Sequence, residues 1–258
     1  MRMNLLSFGF FQIWHLCVNS LITKQMTTMK TLLTFCLLLA ATFSFAQTDC
    51  KPYLPGEVGD SWEITSYSKK DKVTGTITYE ILSITESDST TTYEVQSTFF
   101  DDKGEQTYQS TYEAMCENGV FRLDMTVMMD GNTMAAYENM EVEVDATDFE
   151  VPEMNESAIG PLEDGTLKVQ IASSGISNIT MTVNVTDREI EGLEEVTTEA
   201  GTFECLKMTQ NVSTRMIVKI ESSSIEWYSE GIGMVRSESY NKNGKLTGYS
   251  VLTKLSSN

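Results

Sequence analysis

Residues 178–186 read NITMTVNVT, and this stretch decides the fold. Ile179, Met181, Val183 and Val185 alternate with Asn178, Thr180, Thr182, Asn184 and Thr186. Successive side chains of a strand point to opposite faces, so a period of two gives one apolar face and one polar face. That is the signature of a half-buried β-strand. Phe121, Leu123, Met125, Val127 and Met129 repeat the pattern across residues 120–129. Further alternating runs occupy residues 62–68, 73–86, 91–100, 106–116, 140–151, 203–212, 215–220, 234–240 and 245–255. They are rich in Thr, Val, Ile and Tyr, which suit a pleated and partly exposed surface.

Turn chemistry separates the runs. Lys69-Lys70-Asp71-Lys72, Asp101-Asp102-Lys103-Gly104, Glu117-Asn118-Gly119 and Asn241-Lys242-Asn243-Gly244 each sit at hairpin spacing, and Ala200-Gly201-Thr202 makes another tight reversal. Short connections imply antiparallel neighbours, because a parallel pair needs a long crossover. Only residues 133–139 hint at a helix. The expectation is an all-β protein: a curved antiparallel meander sheet, half-barrel or open barrel, of about ten to twelve strands. Residues 47–258 form one domain on this reading, with a weak break at 152–165 that divides two halves if any division exists. One internal echo links residues 66–82 (SYSKKDKVTGTITYEIL) to residues 239–255 (SYNKNGKLTGYSVLTKL), identical at seven of seventeen positions. Convergence of two hairpins on one turn is favoured over a duplicated binding hairpin.

Residues 29–46 (MKTLLTFCLLLAATFSFA) have the form of an export signal. Lys30 supplies the positive start, the following apolar run is shorter than the ~20 residues of a membrane span, and Ser44 and Ala46 are the small residues before a cut at Gln47. Residues 1–28 are read as a start placed too early, with Met29 the real beginning, in preference to an extended export signal or a second membrane segment. The expected location is periplasmic or extracellular, with no stable membrane span after cleavage.

The whole chain carries a net charge of −19, and the first 46 residues remove Arg2, Lys24 and Lys30 but no acid, so the exported part is three charges more negative. Such a surface repels phosphate backbones, which argues against nucleic acid and, on net charge alone, against anionic lipid headgroups. The only histidine, His15, lies in the leader. Ser-His-Asp and Cys-His catalysis and His-ligated zinc are therefore excluded after cleavage. Cys50, Cys116 and Cys205 remain, an odd number. The expected arrangement is one disulfide, with Cys50–Cys116 favoured, plus a buried thiol at Cys205, which alternates with Phe203. Asp49 and Gln47 spoil the small and aliphatic positions that a lipid-attachment site at Cys50 would need.

No motif fixes a reaction. The acids of residues 138–156 alternate with Val142 and Val144, which fits a solvated strand face better than a Ca²⁺ site. No pair among 37 acids stands out for glycoside hydrolysis. Gly231-Ile232-Gly233 lacks the rest of a dinucleotide loop and is read as a bend. No catalytic residue, cofactor or metal is expected. Eleven methionines lie downstream of the leader, suited either to an ordinary core or to an adaptable apolar cavity.

The motif Ala200-Gly201-Thr202-Phe203-x-Cys205, followed by Trp227-x-x-x-Gly231-x-Gly233-x-Val235, resembles the TapB-like secreted proteins of Gram-negative bacteria, within a large periplasmic family of unknown function. The resemblance spans most of residues 47–255. It implies a curved antiparallel sheet similar to the open barrels of periplasmic lipoprotein carriers, and gives Gly201, Phe203, Cys205, Trp227, Gly231 and Gly233 as structural landmarks. It transfers no activity. The functional expectation is a non-enzymatic protein that holds an apolar or amphiphilic ligand such as lipid in the cell envelope. A protein-interaction module without a cavity, with an envelope protein as partner, is the alternative, and a carboxylate hydrolase is a remote third.

Overall fold

The computed structural model describes residues 51–87, 90–117, 120–124, 141–173 and 176–257. The leader, Cys50, the helical hint at 133–139, the Asn118-Gly119 turn and residues 125–129 lie outside them. The described residues belong to one unit, Thr48–Asn258. Their strands are β1 (Ser61–Ser68), β2 (Val73–Glu86), β3 (Thr90–Phe100), β4 (Gln106–Glu117), β5 (Val120–Asp124), β6 (Glu141–Ala146), β7 (Asp148–Val151), β8 (Gly160–Pro161), β9 (Gly165–Ser173), β10 (Ile176–Thr198), β11 (Gly201–Arg215), β12 (Lys219–Ser229), β13 (Gly233–Asn241) and β14 (Leu246–Ser256).

All fourteen join one open sheet, ordered β6-β9-β10-β11-β12-β13-β14-β1-β2-β3-β4-β5-β7, with β8 beside β10. Each pairing is antiparallel, and β14 joins β1 with Trp62 opposite Leu255. Ile81 of β2 and Leu206 of β11 lie five strand spacings apart, roughly 24 Å on a flat sheet. Both nevertheless belong to one buried cluster with Ile64, Val95, Phe121, Ile190 and Leu252. The sheet therefore curls around a common interior. Register shifts at Glu63/Ile64, Ile81/Ser83, Thr186/Glu189 and Trp227/Tyr228 supply bulges that bend it.

The structure corrects several boundaries. Residues 140–151 are not one strand: the chain bends at Thr147, whose N–H donates to the Thr166 carbonyl at 3.0 Å. The segment before the bend pairs with β9 and the segment after it with β5, so both edges of the sheet belong to one bent stretch of chain. Residues 215–220 are not a strand but the β11–β12 hairpin tip, since β11 ends at Arg215 and β12 begins at Lys219. β10 is 23 residues long and runs on past the quoted alternation to Thr198. The positive φ of Asp187, 52°, marks the bulge that hid its second half. In β10, Met181, Val183 and Val185 face a second small core with Leu167, Val169 and Ile171.

Three hairpins share one turn design. In residues 68–72, 101–105 and 241–245 the first residue's N–H bonds the carbonyl of the fifth, at 2.8, 3.0 and 3.0 Å. Asp71, Gly104 and Gly244 take the positive φ in the fourth place, at 58°, 83° and 68°. The side chains of Ser68, Asp101 and Asn241 accept backbone N–H bonds two and four residues on. The two echoed segments are thus neighbouring hairpins, β1–β2 and β13–β14. Each needs its Thr-Gly pair: a Cβ on Gly75 would lie 2.9 Å from the Phe100 carbonyl oxygen, and one on Gly248 2.7 Å from that of Tyr67.

Candidate functional cavity

A segment ahead of the sheet closes one end of the interior. Tyr53 and Leu54 are 1% and 3% exposed. The Tyr53 hydroxyl donates to the Pro152 carbonyl at 2.6 Å, and its ring meets Phe121 and Tyr228. Gly231 and Gly233 hold this stopper. The Gly231 N–H donates to the Pro52 carbonyl at 2.7 Å. Gly233, at φ 102°, passes so close that a Cβ would stand 2.9 Å from the Tyr53 oxygen. Two landmarks from the sequence thus gain a physical role.

Beyond the stopper the sheet encloses a cavity of about 300 Å³. One wall is aromatic and aliphatic: Trp62 stacks on Tyr79 at 5.0 Å, Tyr112 meets Tyr79 edge-on at 6.4 Å, and Ile64 and Met234 lie beside them. Burial pushes the Tyr79 hydroxyl up to about 12 and raises that of Tyr112 as well. Ser97 and Ser110, joined Oγ to Oγ at 2.9 Å, line it farther from the stopper.

The opposite wall is polar and was not foreseen. The Glu226 carboxylate accepts from Gln210 Nε2 at 2.9 Å, Ser224 Oγ at 3.0 Å and the Tyr228 hydroxyl at 2.9 Å. Desolvation nonetheless raises its pKa above the ordinary carboxylate value, opposed by those bonds and by Arg188. Arg188, 3% exposed, donates to the carbonyls of Glu163 at 2.9 Å and Glu150 at 3.3 Å and lies 4.3 Å over the Phe149 ring. It thereby ties β10 to β7 across the opening of the sheet. Burial lowers its pKa, with Tyr228 and Glu226 acting the other way. Among the described residues two buried side-chain atoms of this wall's residues have no hydrogen-bond partner: Arg188 Nε, a donor, and Gln210 Oε1, an acceptor.

The remaining landmarks lie on the other face of the β11–β12 pair. Trp227 adjoins Glu226 in sequence, so it points away from the cavity. It packs with Val196, Cys205 and Val235, with Phe203 at the margin, and its Nε1 donates to Glu194 at 3.2 Å. Lys207 and Arg236 flank its ring at 6.0 and 5.8 Å and screen the patch with their aliphatic stems. Gly201 opens β11 at φ 145°, where a Cβ would meet the Phe203 ring at 3.2 Å. Cys205 is a free, fully buried thiol, pushed up to about 12 by desolvation. Cys116 is buried in the main core opposite Phe121. Its expected partner Cys50 lies outside the described residues. Among the described residues no group of three or more His, Cys, Asp or Glu side chains is placed to hold a metal.

An all-antiparallel open half-barrel with a stoppered, partly polar interior defines the structural class. The chain belongs to the DUF3108-like family, whose pattern matches residues 57–252. It is similar to a protein from Bacteroides fragilis described as exported with a YmcC-like fold, at 26% identity and a TM-score of 0.70, over 81% of this chain and all of the other. A protein from Parabacteroides distasonis described as a lipoprotein matches equally, at 26% identity and TM-score 0.70 over the same shares. No curated protein matches. The family match supports a bacterial family without assigned activity, and nothing in it singles out the TapB-like proteins. No helix among the described residues is long and apolar enough to cross a membrane.

Proposed function

We propose that this protein is exported to the cell envelope and holds a small single-chain amphiphile in the half-barrel, without acting on it chemically. The supporting observation is the cavity itself, with the aromatic wall of Trp62, Tyr79 and Tyr112 facing a polar one that carries Arg188, Gln210, Glu226 and Tyr228. A ligand with a polar head, such as a hydroxyl or an un-ionised carboxylic acid, suits the second wall. Its apolar part then lies along Trp62, Tyr79 and Tyr112. At about 300 Å³ the space is at the small end of ligand sites, so one short chain suits it better than a two-chain phospholipid. A module without a ligand would fill this volume with side chains.

The test is extraction and mass spectrometry of the folded protein, together with melting curves in decanol and decanoic acid. A ligand at a hundred times its Kd adds about 2.7 kcal/mol, or roughly 5–10 °C at this size. Ser110→Phe, which fills the cavity from its wall, abolishes the shift while the protein stays folded. No extracted molecule and no shift with either probe would overturn the reading.

A further inference from the structure

We infer that one rim of the half-barrel docks on an anionic phospholipid bilayer, with the β11–β12 tip entering the headgroup layer. Antiparallel connectivity places the turns β1–β2, β3–β4, β11–β12 and β13–β14 at the same end of the sheet, because two reversals separate each from the next. That end carries Lys69, Lys70, Lys72, Lys103, Arg215, Lys219, Lys242 and Lys245, all exposed. Eight of the fifteen basic residues downstream of Ala46 therefore lie on or beside these four turns, against five acids there, Asp71, Asp101, Asp102, Glu105 and Glu221, with Asp187 also lining the groove beside the tip. These four turns are net positive although the chain is net −19. Net charge alone argued against anionic headgroups. The distribution reverses that argument, because a headgroup layer senses charge within about a Debye length, ~10 Å, and not the far end of the molecule.

The same rim holds the most exposed apolar residues described. Ile217 and Val218, 90% and 70% exposed, form the tip between Arg215 and Lys219, and Ile220, 64% exposed, follows Lys219. Lys219, Lys242 and Arg215 line one groove, so the basic β13–β14 turn lies beside the tip. Lys219 and Lys242 both lower the Glu221 pKa, a second sign of that proximity. A short apolar tip ringed by cations is built for an interface where acyl chains begin below acidic phosphates. The cavity also points this way. Its residues nearest the rim, Phe99 and Ser110, are partly exposed, whereas Tyr53 and Leu54 at the far end are buried.

The experiment is co-flotation of the protein purified after export with vesicles of phosphatidylglycerol and phosphatidylcholine, against phosphatidylcholine alone. The expected result is binding to the first only, weakening as salt rises. Ile217→Ser/Val218→Ser/Ile220→Ser lowers it more than tenfold, and Lys242→Gln/Lys245→Gln lowers it about tenfold and flattens the salt dependence. All these side chains are exposed, so melting temperatures stay at the wild-type value and a folding defect is excluded directly. Equal binding to both vesicles, no binding, or unchanged binding by the variants overturns the proposal. So does concentration-dependent dimerisation that the triple variant abolishes, which assigns the tip to a second copy. None of these outcomes bears on occupancy of the cavity.

Discussion

The two ends of the half-barrel are built on opposite principles. At the stoppered end a few residues do everything inside the chain: Tyr53 and Leu54 are buried, their backbone rests on Gly231 and Gly233, and the Tyr53 hydroxyl is satisfied by Pro152. At the rim, three turns satisfy their own backbone with Ser68, Asp101 and Asn241, and the fourth, the β11–β12 tip, presents Ile217 and Val218 to solvent. The first end is complete without a partner. The second is finished only in part, and the unfinished part is apolar. Stability and function are thus carried at different places, and substitutions separate them.

The largest effect belongs to the stopper. Tyr53→Ala removes a buried aromatic ring and costs about 3–5 kcal/mol, read as an earlier midpoint in urea unfolding. A loss under about 1 kcal/mol would mean that the stopper contributes little and that the two ends are alike. An intermediate effect is expected at Glu226, between the ends. Burial holds its folded-state pKa above the unfolded value. The native protein therefore takes up a proton more readily, and stability falls as pH rises from the ordinary carboxylate range through the raised value. Glu226→Gln abolishes that contribution and is more stable than the wild type at neutral pH. Unfolding curves across the acidic to neutral range check this, and parallel curves for the two proteins would refute it. The smallest effect is at the tip: Ile217→Ser changes stability by no more than about 0.5 kcal/mol. A larger loss would show that Ile217 packs against something within the fold.

Much of this fold was legible because alternation, turn residues and short connections are local signals, and antiparallel hairpins are made from local signals. Errors arose where a local pattern met a non-local constraint. Residues 140–151 read as one alternating run only if the slip of phase at the polar pair Thr147-Asp148 is passed over; the chain bends there because its two segments serve different neighbours. Arg215–Ile220 is apolar and β-branched enough to read as a strand, and nothing local says that β11 ends at Arg215. The polar wall of the cavity was missed because residues 221–229 were not read as a strand. Ser224-x-Glu226-x-Tyr228 and Ile225-x-Trp227 alternate in the same strand, and hydrophobicity favours turning Trp227 inward. The structure turns Glu226 inward instead, because the convex side offers Val196, Cys205 and Val235 as a second apolar surface for Trp227. Gly231 and Gly233 were legible as landmarks, but their purpose depends on Tyr53, almost 180 residues away in the chain.

The pairing of β1 with β14 sets a timetable. The middle of the sheet is made of its earliest and latest strands, Ser61 opposite Ser256, and the stopper at Pro52 and Tyr53 waits for Gly231 and Gly233. β1 has β2 as a local partner, but its other side and the stopper stay open until residues near the end of the domain arrive. Such distant contacts make folding slow, since long loops must close before the contacts that reward them exist. Under the export proposed above that delay is an advantage, because the β1–β14 seam and the stopper close only once residues 246–256 have crossed.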